Sequence, residues 1–425
     1  MKTGGLGLDQ APPLSIPASF FLTIPIGILV GAYLMLTSVA ATLGSPWTPQ
    51  TVALTHAGTL GILAMGMLGA LYQMIPVVAG TPVPFARLAH IVHVLLLAGL
   101  GGFLWRLMDG PAYAMTATIF CFTTAFLAFL LPLGWTLINP ATQSDTVRGM
   151  RLAILSLATV SVVGLVMARG FATGTFPQNH MLWVQLHLML ALLGWVGGLI
   201  MAVSWQVIPM FYLASTVSKP TRQWMFGLLL TGLVLPIATI FTYDVLGDSV
   251  SRGQFAAITA LPAAVVIWLI HPVLILRGLS QRKRKRSDAS LLFWKTGLGV
   301  ALLLIPAAIT ALLLPDPRWQ VLFGWLTIWG WAGLIMHGML SRIMPFLVWF
   351  HRYSAHVGLE PVPSMRSLLS QGRIRVGFAL HSASILLGAA TIIIQLDLLA
   401  QLTGLLLIAT AISLGSMLIH VLRGK

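Results

Sequence analysis

Acidic side chains are scarce in this sequence: nine Asp and Glu stand among 425 residues, and none lies in the middle of an apolar run. A proton-coupled transporter ordinarily needs an intramembrane carboxylate or a histidine relay, so this scarcity counts against that class. Charge of either sign makes up only 8% of the chain against 58% hydrophobic residues, which excludes a water-soluble globular protein. The single cysteine, Cys121, excludes an internal disulfide and any multi-cysteine metal site. A Walker loop, a glycine-rich nucleotide fingerprint and a nucleophilic-serine context are also missing, so ATP-driven and hydrolytic readings have no support. Residues 1–15 lack the basic head, short apolar core and small-residue cleavage site of a secretory signal, and the run after them is long enough to span a bilayer.

What the chain has in abundance is long apolar runs. About twelve can each cross a hydrocarbon core about 30 Å thick as a helix. They are predicted at about 18–43, 52–79, 86–107, 112–138, 150–169, 180–213, 223–243, 254–277, 291–314, 319–348, 374–396 and 398–421. The runs are continuous rather than alternating with period two, so a β-barrel is excluded. The expected fold is an all-α integral membrane protein forming one transmembrane domain over 1–425.

Net charge is +15, and "RKRKR" at 282–286 suggests a nucleic-acid partner. Its placement argues for a lipid bilayer instead. With twelve spans, all Lys and Arg except Arg106, Arg169, Arg252 and Arg318 fall on the side of the two termini. That asymmetry is the positive-inside pattern, predicting a multi-pass protein of the cell inner membrane with both termini cytoplasmic. The RKRKR loop then serves as a topology determinant touching anionic lipid. The 14 tryptophans, among them Trp47, Trp105, Trp183 and Trp319 near span ends, are read mainly as an interfacial belt.

Three long spans share a pattern: "GILAMGMLGALYQMIP" at 61–76, "GWVGGLIMAVSWQVIP" at 194–209 and "GWAGLIMHGMLSRIMP" at 330–345. Aligned on their terminal prolines, they place Gln73, Gln206 and Arg342 in register. The spacing of Pro76, Pro209 and Pro345 implies a repeat unit of about four helices, with pseudo-repeats at about 18–138, 150–277 and 291–421 around a pseudo-threefold axis. The second helix of each unit is expected to face inward.

Histidines carry the candidate chemistry. His56 and His187 precede Pro76 and Pro209 by similar distances, so they are predicted at similar depth near the outer ends of equivalent helices. Two neutral imidazoles facing each other across a gap can supply the two axial nitrogens of a haem iron. At 3.6 residues per turn, Ala64 and Met67 share the face of His56, and Gly194 and Gly198 share that of His187, leaving room for a flat ligand. The alternative is that each histidine merely hydrogen-bonds to a neighbouring carbonyl. His337 lies deeper in the third repeat and could ligate a second metal, copper or a second haem, with His381 and His90 or His93. His180, His271, His351, His356 and His420 are expected at interfaces or in loops.

The span number, the three-by-four repeat and the outer histidine on the second helix resemble subunit I of the haem-copper oxidases. In that family the helix-two histidine, matched here by His56, is an axial ligand of the low-spin haem. "THAGTLG...IPVVAGTPVP" around the second span and "MLSRIMPFLVWFHR" leaving the tenth are similar to NnrS-type membrane proteins, divergent relatives linked to nitric oxide. The departures are specific. The oxidases carry a His-x-His pair on helix ten where this chain reads "FGWLTIWGW", and a paired-histidine copper site on helix seven where "RQWMFGLLLTGLVLPIATIFTYD" has no histidine. The resemblance therefore implies haem b held by His56 and His187, without the usual copper site or oxygen-reductase activity. It further implies a role in electron transfer or nitric oxide and respiratory metabolism, with a cytochrome or respiratory-complex subunit as partner. The rival readings are a permease for a small solute and a non-catalytic assembly subunit.

Overall fold

The computed structural model describes residues 11–242, 252–283 and 288–424. Asp244, Asp248 and most of the RKRKR loop lie outside them. The described chain is helical, with no strand and one isolated bridge between Val357 and Glu360.

Eleven helices are long and apolar enough to cross a membrane. They are α1 (Ser15–Thr37), α2 (Pro49–Ala79), α3 (Ala86–Leu107), α4 (Ala112–Ile138), α5 (Asp145–Thr173), α6 (His180–Tyr212), α9 (Leu261–Ser280), α10 (Ser290–Leu313), α11 (Arg318–His356), α12 (Gln371–Ile394) and α13 (Asp397–Arg423). Between α6 and α9 lie α7 (Lys219–Thr242), on the predicted 223–243 run, and α8 (Arg252–Thr259). The single run expected at 254–277 is thus divided into α8 and α9, and its second part continues to Ser280.

Local chemistry sets the helix ends. The Thr48 hydroxyl accepts from Thr51 N–H at 3.3 Å with Pro49 in the first turn, and Ser144 caps α5 in the same way at 3.1 Å. Gly80 and Gly174 stop α2 and α5 in the left-handed conformation, φ +66° and +76°. Pro76, Pro209 and Pro345 lie inside their helices, which run on to Ala79 and Tyr212, close to the predicted ends at 79 and 213, and to Tyr353, past the predicted 348. A proline removes one backbone donor, a loss a buried helix tolerates when its neighbours satisfy the freed groups.

The three proline-bearing helices form the centre. Within their most apolar windows α2, α6 and α11 are 83%, 78% and 72% buried, whereas every other span lies between 28% and 61%. The remaining helices surround them, and α1 packs along α13, so the first and last spans are neighbours. Each central helix also opens into an eight-residue π-helical stretch, at Ala57–Ala64, Leu190–Gly197 and Leu326–Gly333. All three stretches end the same distance before their proline.

At the opposite end of the bundle, a polar network ties α6 and α11 to the start of α10. Arg342 pairs with Asp288 ahead of α10, and its Nε donates to Ser290 Oγ at 3.0 Å. Ser290 in turn shares a 2.8 Å hydrogen bond with Tyr212 Oη at the end of α6, and the guanidinium lies 5.6 Å from the Tyr212 ring centre. Both charges are mostly buried, so removing one strands the other. Arg342→Met is expected to cost about 2–4 kcal/mol of stability, read as a lowered Tm in detergent. An unchanged Tm would show that the network is ornamental.

Candidate functional site: an apolar cavity among the central helices

The N-terminal halves of α2, α6 and α11 do not meet completely; they enclose a cavity of about 760 Å³. That lies within the 300–1,000 Å³ usual for small-molecule and cofactor sites. All three π-helical stretches contribute to its wall, for example through Thr59, Leu192 and Ile328. A π-helical turn is wider than an α-turn and is often found at functional sites. Small residues hold the helices close at the cavity's edges. A Cβ on Gly58 of α2 would sit 2.9 Å from Ile328 of α11, and one on Gly27 of α1 would sit 2.6 Å from the Gly61 carbonyl oxygen. Among the described residues, no Asp, Glu, Lys or Arg lines the cavity; its polar groups are hydroxyls, amides, indoles and imidazoles.

His56 and His187 both line this cavity and face each other, with ring centres 6.3 Å apart and planes inclined by 30°. The His56 Nδ1–H donates to the Val52 carbonyl at 2.8 Å, one turn back on the same helix. That bond fixes the tautomer and leaves the Nε2 lone pair uncommitted. Phe103 packs against the ring at 4.8 Å between centroids. The His187 ring lies against α5, where a Cβ on Gly164 would be 3.0 Å from its Cε1 and 3.5 Å from its Nδ1. Its buried Nδ1 makes no hydrogen bond of full geometry, although the Val160 carbonyl of α5 lies within reach of the ring. The sequence therefore paired two residues that the fold does bring together, both lining the same space.

The expected small-residue faces are corrected. Ala64 lines the cavity, but Met67 is buried elsewhere in α2. Gly194 packs against Ser156 and Leu233, and Gly198 lies nearest Leu193 and Leu229, so neither opens space for a ligand beside His187. The cause is the π-helical stretch: more residues per turn rotate every later position away from the face that 3.6 per turn predicts. The room comes instead from Gly164 behind His187 and from Gly324, which has nothing within 4 Å of its Cβ direction.

The deeper histidines divide. His337 and His381 meet in a buried pair with Nδ1 to Nδ1 at 3.0 Å. His381 Nε2–H donates to the Trp329 carbonyl at 3.1 Å, so its Nδ1 accepts the His337 proton. The Trp329 indole stacks on the His381 ring at 3.8 Å and 14°. His90 and His93 are elsewhere on α3, turned toward α1: His93 Nε2 bonds to Thr23 Oγ1 at 2.7 Å and His90 Nε2 to Ser15 Oγ at 3.4 Å. Among the described residues, no three His, Cys, Asp or Glu cluster as a metal site, so the four histidines do not form a common one.

Two further expectations change. His271, expected at an interface, is fully buried on α9, where its Nε2 bonds to Ser204 Oγ at 2.8 Å. The tryptophans are not mainly a belt: Trp195, Trp205, Trp268, Trp294, Trp329 and Trp331 are buried, and only some, such as Trp47 and Trp105, are exposed. His180 does sit at a helix end, beside Trp47 and Phe176, and lines the cavity mouth. His351 bonds to the Leu347 and Pro12 carbonyls, and His356 pairs with Glu360 at 2.9 Å.

No protein family matches the chain, and no curated protein matches it closely enough to count as a relative. The site's chemistry must therefore be argued from its own geometry. For the inner pair, removing His381 strands His337 Nδ1 and the Trp329 carbonyl in the core. His381→Ala should lower stability by about 1–3 kcal/mol in a detergent melt, without altering ligand occupancy of the upper cavity. Wild-type stability in that variant would mean the pair carries no structural load.

Proposed function

We propose that this protein is a haem-binding membrane protein in which His56 and His187 are the two axial ligands of one b-type haem. The observation that carries the reading is the 6.3 Å separation of the two imidazole centres across the cavity. Two histidine rings at that spacing would hold an iron between them, each supplying one ring nitrogen. The free Nε2 of His56, the uncommitted imidazole of His187 and the 760 Å³ of apolar space between central helices fit such a group. The Val52 carbonyl orients His56, and Gly164 admits the His187 ring against α5. Among the described residues no Lys or Arg lines the cavity, so the propionates would rely on polar groups such as His180, Gln185 and Gln320.

Bound there, haem would supply one-electron chemistry, and His56 and His187 would hold it within the apolar cavity. The role is electron transfer or nitric oxide and respiratory metabolism, in a divergent relative of haem-copper oxidase subunit I that lacks the usual copper site. Three four-helix repeats are part of this reading, supported by the equal placement of the π-helical stretches and prolines. So is an inner-membrane location with cytoplasmic termini and the histidines in the outer leaflet, supported by the basic-residue asymmetry. A second reading, a carrier for a small uncharged solute, is favoured by the absence of charge from the cavity wall.

Detergent-purified protein given haemin should develop a Soret band with the split visible bands of a low-spin b-type haem, and either His56→Ala or His187→Ala should abolish that spectrum. A missing band, or one that survives both substitutions, sinks the haem reading; solute uptake by haem-free protein would then favour the carrier. For topology, reporters fused to both termini should be active only on the cytoplasmic side, and periplasmic activity at either end would overturn the assigned orientation.

A further inference from the structure

Where α5, α6 and α7 come together, at the end of the bundle away from His56 and His187, three charges converge. Asp145, in the first turn of α5 and mostly buried, receives the Arg222 guanidinium of α7 at 2.8 Å through both Nε and Nη2. Arg222 is held from two further sides, donating to the Val217 carbonyl at 2.6 Å and lying 6.0 Å from the Trp205 ring centre of α6. Arg148, one turn into α5, has a side chain 57% exposed and reaches the Asp145 carboxylate only at 4.0 Å. Two guanidinium groups thus share one carboxylate, leaving one positive charge in surplus.

Together with Gln223 and Phe226, these residues line a pocket of about 60 Å³. A single water needs roughly 10–15 Å³, so the space suits a group of about five heavy atoms, such as a phosphate. A guanidinium carries five N–H donors, and only three of those on Arg222 are engaged, so both arginines keep donors for an anion. Positive charge at this end is what membrane topology demands. Topology does not demand that arginines from two helices converge on one pocket, nor that a buried carboxylate and an indole hold one of them in place.

From the pocket, two apolar rows run along the outside of the bundle. On α5, Leu155 and Val162 follow Arg148 at steps of seven residues and are 63% and 61% exposed; on α7, Leu230 and Val234 share the face of Gln223 and are 40% and 52% exposed. α5 packs chiefly on α4 and α6, and α7 on α8 and the start of α9, so the two helices meet only sparsely and leave a shallow groove. Trp224, beside Gln223 and largely exposed, suits headgroup depth as an interfacial anchor.

We propose that this pocket binds the phosphate of one anionic phospholipid, whose acyl chains lie along the rows that begin at Leu155 and Leu230. Arg148 and Arg222 take the phosphate oxygens, and the surplus positive charge selects an anionic lipid over a zwitterionic one. Asp145 is a positioning residue, fixing Arg222 at the pocket wall. The site is separate from the histidine-lined cavity and stands or falls independently of the haem reading.

The test uses the full-length protein in phosphatidylcholine vesicles doped with phosphatidylglycerol carrying a diazirine in one acyl chain, and in parallel with phosphatidylcholine carrying the same diazirine. After photolysis, labelled residues are mapped by mass spectrometry. The phosphatidylglycerol probe should label Leu155 and Leu230 severalfold more than the phosphatidylcholine probe does, whereas exposed Leu386 on α12 should take both alike. Arg148→Gln should remove most of that preference, as should the charge-balanced pair Asp145→Asn with Arg222→Gln. Arg277→Gln, which removes one charge in the last turn of α9, should leave it intact, and excess inorganic phosphate should not displace the probe. Equal labelling by the two probes overturns the proposal, as does a preference indifferent to Arg148→Gln or lowered as much by Arg277→Gln, which would reduce the site to diffuse surface charge. Displacement by inorganic phosphate would make it a soluble-anion site and overturn the lipid assignment. Because the Arg148 side chain is exposed, its substitution tests the site even where the buried pair fails to fold.

Discussion

Hydrocarbon offers no hydrogen bonds, so every polar group this chain carries into the bilayer must find a partner within the chain or serve a ligand. The fold follows from that constraint. Backbone groups are satisfied in helices, and hydroxyls return to carbonyls one turn earlier, as Thr59 does to Thr55 at 2.9 Å and Ser156 to Leu152 at 2.9 Å. The deeper imidazoles are paired: His337 with His381, His271 with Ser204, His93 with Thr23. Against that background, His56 and His187 stand out because their rings line one cavity and face each other.

The same constraint explains why the central helices depart from regular geometry. A π-helical stretch keeps its backbone bonded while widening the turn, so a cavity can be opened beside it without leaving backbone groups bare. Three such stretches, at matching places ahead of three prolines, surround the space. The Arg342, Asp288, Ser290 and Tyr212 network closes the other ends of α6 and α11 against the start of α10. The bundle is thus tied at one end and open at the other.

Much of this was legible in the sequence. Continuous apolar runs foretold nearly every helix, because length and hydropathy alone decide what can span a bilayer. The shared proline pattern singled out 61–76, 194–209 and 330–345, and these stretches belong to the three most buried helices. His56 and His187 were paired by their offset from those prolines, and they meet. What failed was face arithmetic: Gly194, Gly198 and Met67 were placed with a uniform turn that the π-helical stretches break. The tryptophans misled because an indole suits either an interface or a tight core, and composition does not distinguish the two. His271 was missed for a related reason, since its partner Ser204 lies on another helix and leaves no local signal.

The central claim is that His56 and His187 hold one iron between them. Low-temperature electron paramagnetic resonance of the oxidised, haemin-loaded protein tests it most directly. The account predicts a single low-spin, six-coordinate ferric species with two imidazole ligands, its signal replaced by a high-spin one when either histidine is changed to alanine. A high-spin signal in the wild-type protein, or a low-spin signal indifferent to both substitutions, would contradict it.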